Sequence, residues 1–253
     1  MGWASGRHAL ITGGGTGIGA AAARMLAAEG ARVSILGRRP QPLEQLAAET
    51  GATAIVCDVA DPGSLDRGFA RAREANGPIA ILVVNAGVAD SAPFARTTRG
   101  QWDRQIAINL TAAFDCAQAA LPDLLAAEDS RIVFVASVAG LRGTAYAAPY
   151  VASKHGLVGL TRALAVEYAK SPMTVNAVCP GFVDTPMTDQ SVARVVDKTG
   201  RSEAQTRDAI AAMNASGRLV TAEEVAELIV MLCRPASRSI NGAAIPIDGG
   251  TMA

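Results

Sequence analysis

Ala9-Leu10-Ile11-Thr12-Gly13-Gly14-Gly15-Thr16-Gly17-Ile18-Gly19 is a short apolar run that breaks into a glycine cluster, and an Ala-rich segment follows it to about Glu29. The apolar run reads as a strand and the Ala-rich segment as a helix. Glycines between them let the backbone turn tightly and come close to a pyrophosphate. The helix start behind them offers free N–H groups and a partial positive charge. A plain glycine turn is the alternative, and the strand before and helix after weigh against it. The spacing is Gly-x-x-x-Gly-x-Gly from Gly13. It makes Gly13, Gly15, Thr16, Gly17, Ile18 and Gly19 candidates for holding a dinucleotide.

Arg32-Val33-Ser34-Ile35-Leu36 is the next strand, and Gly37-Arg38-Arg39 follows it. A site for a ribose 2′-hydroxyl places an acid here, about 20 residues after the glycine loop. This chain has two arginines instead, and a guanidinium suits a 2′-phosphate. NADP(H) is therefore the expected cofactor, with NAD(H) as the alternative if the arginines are merely solvated. Thr53-Ala54-Ile55-Val56-Cys57 is a third strand ending at Asp58-Val59. Asp58 either accepts from an adenine amine or caps the next segment. A helix from Asp61-Pro62 to about Ala75 leads to the strand Ile79–Val84 and the turn Asn85-Ala86-Gly87. Small residues in that turn leave room for a flat cofactor. A long helical region, about Gly100 to Glu128, contains Asn109, which by itself reads as a surface or packing residue.

Strand and helix keep alternating: Arg131–Ala136 as a strand, a helix beginning near Tyr150, Thr174–Val178 as a strand broken by Cys179-Pro180-Gly181, a helix from about Thr221 to Cys233, and a last strand near Ala243–Ile247. The pattern predicts an α/β, doubly wound (Rossmann) fold, with a mainly parallel sheet and helices on both faces. Residues 1–253 are read as one domain. The interval 186–216 reads as two short helices around Lys198-Thr199-Gly200, an excursion long enough for a lid. Its apolar positions Met187, Val192, Val195, Val196, Ile210 and Met213 line a pocket or pack the lid onto the body.

The chemistry centres on Tyr150-Val151-Ala152-Ser153-Lys154. Residues four apart on a helix share a face. A phenol is a poor acid or base at neutral pH, and a nearby cation lowers its pKa. Tyr150 with Lys154 is thus expected to move a proton near pH 7. Ser137 ends the strand at the edge where open α/β sheets bind ligands. One hydroxyl can hold a carbonyl oxygen while the other protonates it. Of the two histidines, His8 reads as incidental and His155, turned about 100° from Lys154 on the helix, as structural.

Lys+Arg and Asp+Glu both number 23, which gives no pull toward nucleic acid or an anionic membrane. No apolar run reaches transmembrane length, and Met1–His8 lacks the pattern of a signal peptide. The chain is expected to be cytoplasmic. Cys57, Cys116, Cys179 and Cys233 lie far apart with no CxxC pair. They read as buried reduced thiols, and no metal site is expected.

Together, Thr12-Gly13-x-x-x-Gly17-x-Gly19, Asn85-Ala86-Gly87, Asn109, Ser137, Tyr150-x-x-x-Lys154 and Pro180-Gly181 with Thr185 resemble the short-chain dehydrogenase/reductase family over essentially the full length. The resemblance implies a seven-stranded sheet, a nicotinamide cofactor and a homotetramer or dimer. It implies Tyr150 as acid/base, Ser137 as the hydroxyl that orients the carbonyl, and Lys154 as partner of Tyr150 and of the nicotinamide ribose. Asn109 would hold a water that connects Lys154 to solvent. Val183 and Thr185 would meet the carboxamide. Val84 departs from the pattern, since many members have a second Asn there. The segments Ala147–Gly156 and Val175–Met187 are most similar to β-ketoacyl and polyketide-type ketoreductases and 3-hydroxyacyl-CoA dehydrogenases. That similarity implies a carbonyl or secondary alcohol substrate of 3-oxoacyl or 3-hydroxyacyl type, carried on CoA or a carrier protein. The competing readings are a sugar, polyol or steroid alcohol dehydrogenase, or a nucleotide-sensing regulator on the same fold. A sensor needs only the glycine loop, so the set Asn109, Ser137, Tyr150 and Lys154 favours an enzyme.

Overall fold

Seven parallel strands form one sheet in the computed structural model, which describes residues 2–253. In chain order they are β1 (His8–Thr12), β2 (Arg32–Gly37), β3 (Thr53–Val56), β4 (Ile79–Val84), β5 (Ser130–Val135), β6 (Met173–Pro180) and β7 (Ala244–Ile247). Their spatial order is β3-β2-β1-β4-β5-β6-β7. The chain winds outward from β1 to β3, then crosses back to β4 and winds the other way. The carboxyl ends of β1 and β4 therefore flank the point where the winding reverses, where such sheets open a crevice.

The helices are α1 (Gly17–Ala28), α2 (Pro40–Thr50), α3 (Pro62–Asn76), α4 (Arg99–Ile106), α5 (Ala112–Ala126), α6 (Ala148–Glu167), α7 (Pro186–Thr199), α8 (Glu203–Ala211) and α9 (Ala222–Cys233). Every residue of β1, β5 and β6 is buried, because helices cover both faces. Successive side chains alternate between two cores. Leu10, Leu36, Leu82 and Phe134 join Phe69 of α3, Cys116 of α5 and Leu157 of α6 on one face. Ile11, Ile35, Val83 and Val133 join Leu26 of α1 and Val225 and Ile229 of α9 on the other. The run Ala20–Ala23 is buried where α1 meets α9, and small side chains let the two helices approach closely.

Three expectations are corrected. The region expected as one helix, Gly100 to Glu128, is α4 and α5 separated by a π-helical turn, Ala107–Thr111. Its widened repeat is seen in the bond from Ala112 N–H to Ala107 O. Second, β6 runs on to Pro180. Its pairing with β5 ends at Val178, so the missing N–H of Pro180 costs no ladder bond on that side. Third, His8 is not incidental. It is buried, with Nδ1 2.7 Å from Gly77 O and Nε2 2.9 Å from Ser34 Oγ, and burial lowers its pKa. His155 lies on the exposed side of α6, with Nδ1 3.0 Å from Val151 O. All four cysteines are free and buried. Among the described residues no helix is long and apolar enough to cross a membrane.

Candidate active site

The glycine cluster closes over the carboxyl end of β1 and is fastened to the end of β4. Thr12 Oγ1 accepts from the backbone N–H groups of Asn85 and Ala86, at 3.0 and 3.1 Å. Asn85 Nδ2 donates back to Thr12 O and Gly13 O, at 3.1 and 3.0 Å. This close approach is why glycine is needed. A Cβ on Gly19 would lie 2.4 Å from Gly13 O and 2.6 Å from Asn85 Nδ2. At Gly13 the backbone is also left-handed, with φ 63°.

A cleft of about 920 Å³ runs from this loop along the carboxyl edge of the sheet. Gly13, Gly15, Thr16, Gly17, Ile18, Arg38, Arg39, Asp58, Val59, Asn85, Ala86 and Gly87 line one end. Arg38 and Arg39 are exposed, and neither forms an ion pair among the described residues. Arg39 Nη2 lies 3.3 Å from Thr16 Oγ1, so the guanidinium stands beside the glycine loop. Asp58 closes a local turn by accepting from Ala60 N at 3.0 Å. The cap of α3 is Asp61, which accepts from Ser64 N at 2.9 Å. A glycine cradle with two guanidinium groups at its edge, neither held in an ion pair among the described residues, fits a dinucleotide bearing a 2′-phosphate.

The other end is lined by Ser137, Tyr150, Lys154, Pro180, Gly181, Val183 and Thr185. Pro149 lies in the first turn of α6, and Tyr150 and Lys154 stand one turn apart on it. Lys154 is 4% exposed, and its Nζ donates to Val135 O at 2.8 Å. The same Nζ is 5.7 Å from the centre of the Tyr150 ring. Ser137, which follows β5, accepts from Ala139 N at 3.1 Å.

The electrostatics revise one expectation. Lys154 was expected to lower the pKa of Tyr150. Burial instead raises it, and a hydrogen bond with Ser137 only partly opposes that. Burial lowers Lys154 itself to about 8. Cys179, raised to about 11 by burial, stays a neutral thiol and gives Lys154 no anionic partner. Desolvation is the largest cause of the shift in both Tyr150 and Lys154.

Asn109 stands just behind the cleft wall. The π-turn carries it inward, where Oδ1 accepts from Val88 N at 2.8 Å and Nδ2 donates to Val88 O at 2.9 Å and to Ser153 Oγ at 3.1 Å. Its side chain is committed to bracing α6 against the turn after β4. Gly87 lies close by: a Cβ there would sit 3.3 Å from Asn109 Oδ1, a tight contact, and 3.7 Å from Lys154 Nζ, an ordinary one.

The interval expected to form a lid folds as α7 and α8. Met187, Val195, Ile210 and Met213 line the cleft. Val192 is instead buried in packing, and Val196 does not line the cleft. Arg194 and Asn214 tie this segment to the body of the protein. Arg194 donates through Nη1 to Asp90 Oδ1 at 2.5 Å and through Nη2 to Ala89 O at 2.8 Å. Asp90 also accepts from Arg104 at 2.9 Å, which joins α7 to the loop after β4 and to α4. Asn214 clasps the backbone of Phe182 on both sides, at 2.9 Å each. Arg207 is tied to Asp184 and Asp189. Lys198, in contrast, lines the cleft with no ion pair among the described residues. The spacing of these partners is long-range, and no local motif announces them.

A family model described as enoyl-(acyl carrier protein) reductase matches residues 13–252. The chain is 39% identical over 249 residues to a ketoacyl reductase of the granaticin polyketide synthase of Streptomyces violaceoruber, covering 96% of this chain and 92% of that one. It is 37% identical over 244 residues to the 3-oxoacyl-[acyl-carrier-protein] reductase MabA of Mycobacterium tuberculosis, with coverage of 96% and 92%. A crystal structure of an actinorhodin polyketide ketoreductase variant with NADPH superposes with a TM-score of 0.93, at 36% identity and 99% coverage of both chains.

Proposed function

The chain belongs to the short-chain dehydrogenase/reductase family, and on that premise we propose that it is an NADP(H)-linked oxidoreductase that reduces the C3 carbonyl of a 3-oxoacyl thioester. The observation that carries this reading is the shared cleft: Ser137, Tyr150 and Lys154 at one end, and the glycine cradle with Arg38 and Arg39 at the other. The cofactor, when bound, supplies the hydride. The protein supplies position and the proton.

In this reading the hydroxyls of Ser137 and Tyr150 hold the carbonyl oxygen, and Tyr150 gives that oxygen its proton as C3 becomes a secondary alcohol. The raised pKa of Tyr150 keeps that proton in place at neutral pH. Reduction is then sustained through neutral pH, and oxidation of the alcohol, which needs the phenolate, rises with pH. Lys154 stabilises the phenolate that the transfer leaves behind. Asn109, by bracing Val88 and Ser153, fixes α6 against the cofactor end. Pro180, Gly181, Val183 and Thr185 would meet the nicotinamide side, and Asp58 and Val59 the adenine side.

A panel of substrates followed at the nicotinamide absorbance tests the proposal. Acetoacetyl-CoA and longer 3-oxoacyl-CoAs are compared with cyclic ketones, sugars, polyols and steroids, each with NADPH and NADH. Binding energy from the remote chain and carrier should give the thioesters with NADPH the highest kcat/KM. Turnover of a sugar, polyol or steroid about tenfold more efficient than that of every thioester would replace this reading with an alcohol dehydrogenase of that class.

A further inference from the structure

Tyr146 is the one residue other than glycine with a left-handed backbone among the described residues, at φ 63°. That conformation is a genuine outlier for a bulky side chain, and it persists only where the surroundings hold it. Here the Tyr146 carbonyl accepts from Ala92 N at 2.8 Å, which fastens the segment before α6 to the loop after β4. Glycine or asparagine would make the same turn at lower cost. The ring gains no burial in return, since Tyr146 is 66% exposed. It lies on the cleft, four residues before Tyr150. The strained backbone thus presents an open aromatic surface to the site.

The lid contributes two exposed apolar side chains to the same cleft. Met187 and Met213 are 39% and 52% exposed. Thioethers pack well on aromatic rings, and the unbranched methionine side chain adapts to chains of irregular shape. Apolar surface left open in a binding cleft is surface that an apolar ligand covers.

We infer that Tyr146 determines specificity: its ring, together with Met187 and Met213, grips the apolar part of the substrate beyond the reacting carbonyl and selects long alkyl chains over short ones. The inference deepens the 3-oxoacyl reading and rests on it for the nature of the chain. Because the grip touches only the alkyl part, it can be measured without a thioester and without turnover.

The measurement is the affinity of straight-chain methyl ketones, from butanone to undecanone, for the NADP⁺-saturated enzyme by calorimetry. Each methylene that reaches the grip raises wild-type affinity by up to about fourfold. Tyr146→Gly relieves the left-handed strain, so it melts no lower than wild type, and it flattens the gain to below about twofold per methylene. Tyr146→Asn tolerates the same backbone without the ring and flattens the gain equally, which separates loss of the ring from loosening of the loop. Tyr146→Phe keeps the wild-type gain. A Tyr146→Gly enzyme with the wild-type gain per methylene, or a wild type with none, overturns the inference. Rejection of thioesters in the substrate panel would overturn the 3-oxoacyl reading and leave this measurement standing.

Discussion

Replacing Lys154 by Met should stabilise the protein at neutral pH while removing its activity. Lys154 is buried on α6, its Nζ donates to Val135 O, and no carboxylate pairs with it among the described residues. Burial lowers its pKa from 10.5 to about 8. For a base, a folded-state pKa below the unfolded one means that the unfolded chain holds the proton more tightly. Stability therefore rises with pH between about 8 and 10.5, and below about 8 the whole cost of burying the ammonium is present. At about 1.36 kcal/mol per pH unit, the fall from 10.5 to about 8 amounts to about 3 kcal/mol. Met keeps the apolar stem and removes the charge, but it leaves the Val135 carbonyl short of a donor, at about 1 kcal/mol. The net gain at pH 7 is about 2 kcal/mol, or roughly 4–8 °C in Tm for a chain of this size. Thermal or urea unfolding of both proteins, from neutral pH to about pH 11, reads this directly. The advantage of the variant should shrink by about 1.4 kcal/mol per pH unit above about pH 8, vanish near pH 9.5 and give way to a deficit of about 1 kcal/mol at the top of the window. A Lys154→Met protein less stable than wild type at pH 7, by an amount that does not change with pH, would show that the ammonium carries no desolvation cost.

Tyr150→Phe keeps the ring and removes the proton, so kcat should fall by about 100- to 10,000-fold with NADPH affinity unchanged in a fluorescence titration. Turnover within about threefold of wild type would remove Tyr150 from the chemistry. The double variant Arg38→Asp/Arg39→Asp should lower the preference for NADPH over NADH by about 10- to 100-fold in kcat/KM, since a hydrogen bond to a charged group is worth about 1.5–3 kcal/mol. An unchanged ratio would mean that the two arginines are only solvated. Arg194→Ala releases Asp90 and the Ala89 carbonyl from α7. It should raise KM by about twofold to fivefold with kcat nearly constant, the scale of a partly exposed ion pair. Identical KM values would show that the clasp does not set the position of the lid.

Local chemistry was legible in the sequence. The glycine cluster between a strand and a helix, the alternation of elements, and the four-residue spacing of Tyr150 and Lys154 each depend on neighbours within one or two turns. Capping is local too: Thr221 and Glu224 close the start of α9 as a reciprocal pair, and the helix was expected from about Thr221. Arg38 and Arg39 were visible for the same reason, because the position after the second strand is fixed by chain distance from the glycine loop.

The tertiary structure decided what depends on residues far apart. Asn109 reads by itself as a surface or packing residue, and only the π-turn shows which backbone it braces, that of Val88, and that it meets Ser153. Arg194 and Asp90 are 104 residues apart, and no spacing rule joins them. Tyr146 is an ordinary loop residue in sequence, and its left-handed backbone and the bond its carbonyl accepts from Ala92 appear only in the folded chain. The direction of the Tyr150 shift was reversed for the same reason. Spacing along a helix fixes which charge is near, but desolvation depends on everything packed around the group, and here burial is the largest cause of the shift, opposed only by the hydrogen bond with Ser137. By itself the sequence determined the fold, the glycine cradle and which residues, Tyr150 and Lys154, are placed one turn apart as the proposed proton-transfer pair, because these rest on local backbone geometry and helical periodicity. How the lid is held, which side chains face the cleft and how the buried groups titrate were decided by packing, a property of many residues at once.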